Sequence, residues 1–126
     1  MQKKRIVVKV GTSTLTHKTG KTNIQKIGEL VSVLADLHNM GHEVILVSSG
    51  AIGIGTARLG LHKKPQSIKG RQAAAAVGQG ELMFLYDKFF GAYDVIVSQL
   101  PFKYDALENK ENKMHLTNTF NQLIEY

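Results

Sequence analysis

Cysteine is absent from the 126 residues, which excludes disulfides and thiolate metal sites and suits a reducing compartment. No apolar run approaches the roughly 20 residues of a membrane span. The basic N-terminus is followed by an apolar run, Ile6 to Val10, too short for the core of a signal peptide. A cytoplasmic protein without membrane contact is expected. Aromatic residues are few, at 7%, and none is interleaved with the basic clusters, Lys3–Arg5 and Arg58–Arg71. A stacking platform for nucleic acid needs that interleaving. The net charge of +6 and pI near 9.6 therefore point to a solvated loop or a site for small anions, and argue against a nucleic-acid partner.

What is present fits one globular domain. The hydrophobic content is 43% and the mean hydropathy −0.12; chains of about 150 residues bury about 70% of their unfolded surface. The centre of the chain is VSSGAIGIG, Val47 to Gly55, where an apolar run ends in two hydroxyls and then Gly50, Gly53 and Gly55. A strand hands over to a helix there, and the missing Cβ atoms let a ligand approach the backbone amides. Such strand ends hold the sites of open α/β sheets. A turn whose glycines serve only packing is the alternative.

RIVVKV, Arg5 to Val10, reads as a buried strand, with Lys9 leaning out at its end toward an anion. An edge-strand lysine that blunts aggregation is the other reading. Gly20, Lys21 and Thr22 imitate a P-loop ending, but Leu15 stands where its first glycine belongs. Thr22 to Gln25 is a capping box before Ile24, Ile27, Leu30, Val31, Leu34 and Leu37, the apolar stripe of a helix that Gly41 ends. His38 and His42 straddle that stop, so metal ligation is not expected. His42 to Ser48 is a second strand, and strand, helix and strand make a right-handed βαβ unit. Both strands then end on one sheet edge, bringing Lys9, Gly11 and Thr12 beside Ser48, Ser49 and Gly50.

A short helix stops at Gly60 and a basic loop runs to Ser67. Gln72 to Phe90 is helical, with four alanines, Ala73 to Ala76, before Gly78 and Gly80. Each interior glycine costs about 1 kcal/mol relative to alanine, so a sheet or a neighbouring subunit is expected against this face. Leu82, Met83, Leu85, Tyr86, Phe89 and Phe90 are core residues. Asp94 to Leu100 is a third strand, closed by Pro101. After a polar stretch to Lys113, a last helix carries Leu116, Phe120, Leu123 and Ile124 and has no stop signal, as a truncated domain would. There is no internal repeat.

Three stretches, VVKVGTS, VILVSSGAIGIG and KGRQAAAAVGQGELM, resemble the glutamate-phosphorylating members of the amino acid kinase family. The resemblance runs from Lys3 to about Asn118; the first motif is family-wide and the other two are more specific. It implies an αβα sandwich of three layers with a mainly parallel sheet, of which this chain is the N-terminal, glutamate-binding portion, residues 1–126. It implies transfer of the γ-phosphoryl group of ATP, with Mg²⁺ on the β- and γ-phosphates, to the side-chain carboxylate of L-glutamate, the first step of proline synthesis. Lys9 would be the catalytic cation on the phosphates, with the backbone of Gly11, Thr12 and Ser13. Ser49, Gly50 and Ala51 would hold glutamate, and no metal ligand is assigned to the chain.

The family's other glutamate-binding residues and its nucleotide-binding half have no counterpart among these residues, and the isolated segment is expected to be inactive. PFKYD and MHLTN depart from the family pattern, which leaves the geometry around them open. A homo-oligomer, dimer or tetramer, and feedback by proline are further implications. A member with a different acid substrate, a non-catalytic assembly module using the alanine–glycine helix, and a nucleic-acid binder through Lys63–Arg71 are the competing readings.

Overall fold

The structure, a computed structural model, describes residues 2–100 and 104–126. Strand β1 (Arg5–Val10) runs into a single helical turn, α1 (Thr12–Leu15), and helix α2 (Ile24–Asn39) crosses to strand β2 (Glu43–Ser48). Helices α3 (Ala51–Arg58) and α4 (Ile68–Gly91) follow, then a 3-10 turn at Tyr104–Leu107 and helix α5 (Lys110–Glu125). The two strands pair in parallel, with Arg5 opposite Glu43, Lys9 opposite Val47 and Val10 opposite Ser48. The fold is α/β with a parallel sheet, as expected, and the βαβ unit places both strand ends on one edge.

Period-2 alternation then sorts the strand residues by face. Val8, Val10, Val44 and Leu46 join Ile27, Val31 and Leu34 of α2 and Leu82, Leu85, Tyr86 and Phe90 of α4 in one core. Fully burying an aliphatic or aromatic side chain contributes about 1.5–3 kcal/mol, so this face drives the assembly. Leu15 of α1 and Ile54 of α3, both 0% exposed, close it near the strand ends. Met83 and Phe89 pack at its margin, which fits their reading as core. The opposite sheet face corrects the expectation of a strand buried on both sides. Val7 and Val47 are exposed there, and α5, which buries no residue, approaches the start of β1, where the Arg5 guanidinium lies 5.5 Å from the Phe120 ring centre.

Several boundaries also differ from the expectation, each for a local reason. The cap of α2 is Asn23, whose side chain accepts from the Lys26 amide at 3.1 Å. Thr22, the expected cap, instead bridges Thr16, and Ile24 is half exposed in the first turn. Helix α4 begins at Ile68, not Gln72, because Ser67 caps it by accepting from the Gly70 amide at 3.1 Å. Its first turn, Ile68 to Arg71, has no buried residue, so periodicity could not register it. Likewise α5 begins at Lys110, capped by Asn109, ahead of its first apolar position.

The third strand is not formed among the described residues: 95–100 make no ladder, although Val95 and Val97 pack on the core and Ile96 points outward. The Val95 amide bonds back to the Phe90 carbonyl at 3.0 Å, closing α4 instead of pairing with a strand. Pro101, read as the stop of that strand, lies outside the described residues, as does most of PFKYD.

The buried small residues of α4, Ala74 and Gly78, pack on α3 and not on a sheet. A Cβ on Gly55 would overlap the Ala74 carbonyl oxygen, and one on Gly78 would overlap the Ala51 carbonyl oxygen. The two helix backbones touch through Ala51 and Gly55 on one side and Ala74 and Gly78 on the other. Arg58 Nε lies 3.0 Å from Glu81 Oε2 at the end of this seam. That oxygen is buried without an aligned hydrogen bond, so the contact is one of charge alone.

Candidate functional site

The ends of β1 and β2 meet as the βαβ unit predicts. The Ser49 amide donates to the Val10 carbonyl at 3.0 Å, and the Ser49 hydroxyl donates to the same oxygen at 3.2 Å. Gly50 follows in the left-handed region at φ 95°. A Cβ there would stand 2.7 Å from Thr12 Oγ1 and 3.0 Å from Thr12 Cα, so conformation and space both call for glycine. At Gly11, a Cβ would be 3.9 Å from Ser49 Oγ, an ordinary contact. Gly11, Thr12 and Ser49 to Ala51 thus form one surface, although about forty residues separate its halves.

Helix geometry adds donors to that surface. Thr12 and Ser13 are the first residues of α1, and Ala51 and Ile52 the first of α3; first-turn amides have no acceptor within their own helix. Both turns begin at the strand ends, and such amides favour anions. Lys9 stands apart from this cluster. It is exposed on the open face of the sheet, opposite Val47, and makes no ion pair with another described residue. The strand therefore presents its ammonium two residues before Gly11, available to a ligand.

Lys64 is an addition that sequence reasoning did not single out. Its Cε is 3.7 Å from the position a Cβ on Gly53 would take, and Thr12 Cγ2 is 3.2 Å from the same point. The basic loop thus folds a lysine stem over α3 toward Thr12. Only a lysine in the stretch following the glycines hinted at it.

Among the described residues two titrating groups are perturbed, and neither belongs to this surface. Hydrogen bonds from Arg5 first, then Lys3, hold the Glu43 carboxyl below its ordinary value, pinning the beginning of the sheet. Burial pushes the Tyr86 hydroxyl up, opposed by its hydrogen bond to Ser48. The folded protein holds that proton more tightly than the unfolded chain. The stabilisation is therefore complete below pH 10.0, the ordinary value, and lost as pH rises through the folded value. In urea titrations above that pH, the wild-type midpoint should fall more steeply than that of Tyr86→Phe. Equal slopes would show that Tyr86 ionises as freely in the fold as outside it.

Among the described residues, no group of three or more His, Cys, Asp or Glu could hold a metal. His42 is buried, its Nδ1 accepting from the Lys4 amide at 3.1 Å, which excludes a metal at that nitrogen. None of the described helices is long and apolar enough to cross a membrane.

Comparison with known proteins bears on the family. The chain is 54% identical to a glutamate 5-kinase of Clostridium perfringens, over 97% of its own length and 45% of the relative's. It is 49% identical to a glutamate 5-kinase of Clostridium acetobutylicum, over 97% of the chain and 46% of the relative. With a glutamate 5-kinase of Moorella thermoacetica it shares 47% identity, over 98% of the chain and 32% of the relative. The chain thus spans about half the length of the first two and a third of the last. The model of the amino acid kinase family matches residues 4–126, and the chain belongs to that family.

Proposed function

We propose that this chain supplies the acceptor and phosphate edges of an enzyme that phosphorylates the side-chain carboxylate of L-glutamate with ATP, opening proline synthesis. The observation that carries the reading is the meeting of Gly11 and Thr12 with Ser49 and Gly50 at one pair of strand ends. The names and identities of the relatives support the choice of substrate.

In this reaction a carboxylate oxygen attacks the γ-phosphorus. The bond from that phosphorus to the β,γ-bridging oxygen breaks, and ADP leaves with the electron pair. The acceptor is already ionised at neutral pH, so it needs no general base, and Lys, Gly, Thr and Ser suffice at the strand ends. Such transfers depend on positioning and on charge stabilisation. Lys9 supplies a point cation; the amides of Gly11, Thr12 and Ser13 face the phosphates; Ser49, with the amides of Gly50 and Ala51, holds glutamate. Lacking a carboxylate cluster among its described residues, the chain would leave Mg²⁺ to the phosphates, as is common for this ion. Absent cysteine agrees with a cytoplasmic setting. Assembly into a homo-oligomer and feedback by proline belong to the same reading, and Ala73, Val77, Gly80 and Phe84, exposed on one side of α4, offer a face for the former.

The full-length protein should form glutamyl hydroxamate from glutamate, ATP, Mg²⁺ and hydroxylamine. Ser49→Ala should raise KM for glutamate about tenfold, the worth of one hydrogen bond to a charged group, with a smaller change in kcat. Turnover confined to another acidic substrate would replace glutamate with that acid, and a Ser49→Ala enzyme with unaltered KM would remove Ser49 from the site.

A further inference from the structure

Tyr86 combines two properties that a core residue need not have together. It is 6% exposed within the α4 side of the core, and its Oη lies 2.9 Å from Ser48 Oγ, thirty-eight residues away in sequence. Packing alone accounts for the ring, which lies at 6.4 Å from the Phe90 ring in a tilted arrangement. It does not account for the hydroxyl, since phenylalanine would fill the same space without a polar atom to satisfy.

Ser48 is the last residue of β2 and precedes Ser49. Helix α4 meets the following turn at a second point, where Gly78 lies against the Ala51 carbonyl. Residues 48 and 51 are thus both fixed to α4, and 49 and 50 are the two between them. Across the gap to β1, Ser49 is tied by its two bonds to Val10, and Gly50 rests on Thr12. A rigid 24-residue helix therefore sets where the serine is presented.

We propose that Tyr86 is a positioning residue for acceptor binding: through Ser48, its hydroxyl fixes the placement of Ser49 before the substrate arrives. This rests on the reading of Ser49 as an acceptor-binding residue. Removing the hydroxyl leaves Ser48 Oγ without its partner in a half-buried place, and a hydroxyl so freed turns to neighbouring backbone. The strand end then loses its reference to α4, while the ring and the core remain.

The test is steady-state kinetics of the full-length protein with Tyr86→Phe, Ser48→Ala and both, well below each melting temperature, beside amide hydrogen exchange at Ser49. Tyr86→Phe should raise KM for the acceptor about fivefold to tenfold, leave KM for ATP unchanged and hold kcat within about twofold. Ser48→Ala should do the same and the double variant no more, because one link is cut in each case. Exchange at the Ser49 amide should quicken in every variant, while that of the β1 amides stays as it was. A lowered melting temperature with unchanged KM and exchange would reduce Tyr86 to a core residue, and additive KM effects would overturn the route through Ser48. Should the wild type not use glutamate, the substrate reading falls on that result alone. Exchange at Ser49 then decides the Tyr86 link by itself: selective quickening upholds it and unchanged exchange ends it.

Discussion

Gly55→Ala should cost the fold about 3 kcal/mol or more, lowering the melting temperature by on the order of 10 °C. The added methyl would overlap the Ala74 carbonyl oxygen and stand 2.6 Å from the Ala74 carbonyl carbon and 3.0 Å from its Cα. All three are backbone atoms of α4, so no rotamer change relieves the clash and the helices must separate. Separation would open the contact beside Ile54, which is fully buried. Against a total stability of about 5–15 kcal/mol, the loss is large. Gly80→Ala is the matched control, since a Cβ there meets nothing within 4 Å, and better helix propensity should raise stability by about 0.5–1 kcal/mol. Thermal melts of the two variants give the comparison. A Gly55→Ala protein melting within about 2 °C of wild type would show that the α3–α4 seam is looser than its geometry.

Lys9→Ala should lower kcat of the full-length enzyme by about 10²–10³, the usual loss on removing one group that stabilises transition-state charge. KM for glutamate should move little, because the proposed role of the ammonium is to meet the phosphoryl group and not the acceptor's binding contacts. Stability should stay within about 0.5 kcal/mol, since Lys9 is exposed and makes no ion pair with another described residue. Lys9→Arg should restore only part of the rate, because a planar fork cannot occupy the place of a compact point charge. The hydroxamate assay measures all of these. A Lys9→Ala enzyme within about threefold of the wild-type kcat would take the cation out of the chemistry.

The strand ends were legible in the sequence because they follow from topology. RIVVKV and HEVILVS can pair in parallel only by way of the helix between them, and that crossing brings Gly11 and Thr12 beside Ser49 and Gly50. The third strand was misread because DVIVSQL carries strand composition, while pairing needs a partner edge that composition does not describe. The α3 partner of the alanine–glycine helix went unread for a related reason. Gly78 and Ala74 announce a close approach but not what approaches, and AIGIG, read as either a ligand loop or a packing turn, supplies the matching face from Gly55. Tyr86 was legible only as bulk. Its hydroxyl gains a role from the position of Ser48, which no pattern within either segment discloses. Lys64 was likewise one cation among several until the fold laid its stem over Gly53.

The Val10 carbonyl oxygen accepts two bonds, from the amide and the hydroxyl of Ser49, and on the proposed reading of Ser49 this would make recognition an exchange rather than a gain. A carboxylate can take the serine's proton only by drawing it away from that carbonyl, whose amide bond stays to keep the oxygen satisfied. An ammonium group meets no such toll, since it donates to the serine oxygen and leaves the existing bond in place. On that reading the serine would receive the positively charged end of a zwitterion and yield to its negative end only where the competing acceptor is stronger than a peptide oxygen. A neutral amide in place of the carboxylate, offering an acceptor no better than Val10's own, would gain nothing from displacing it.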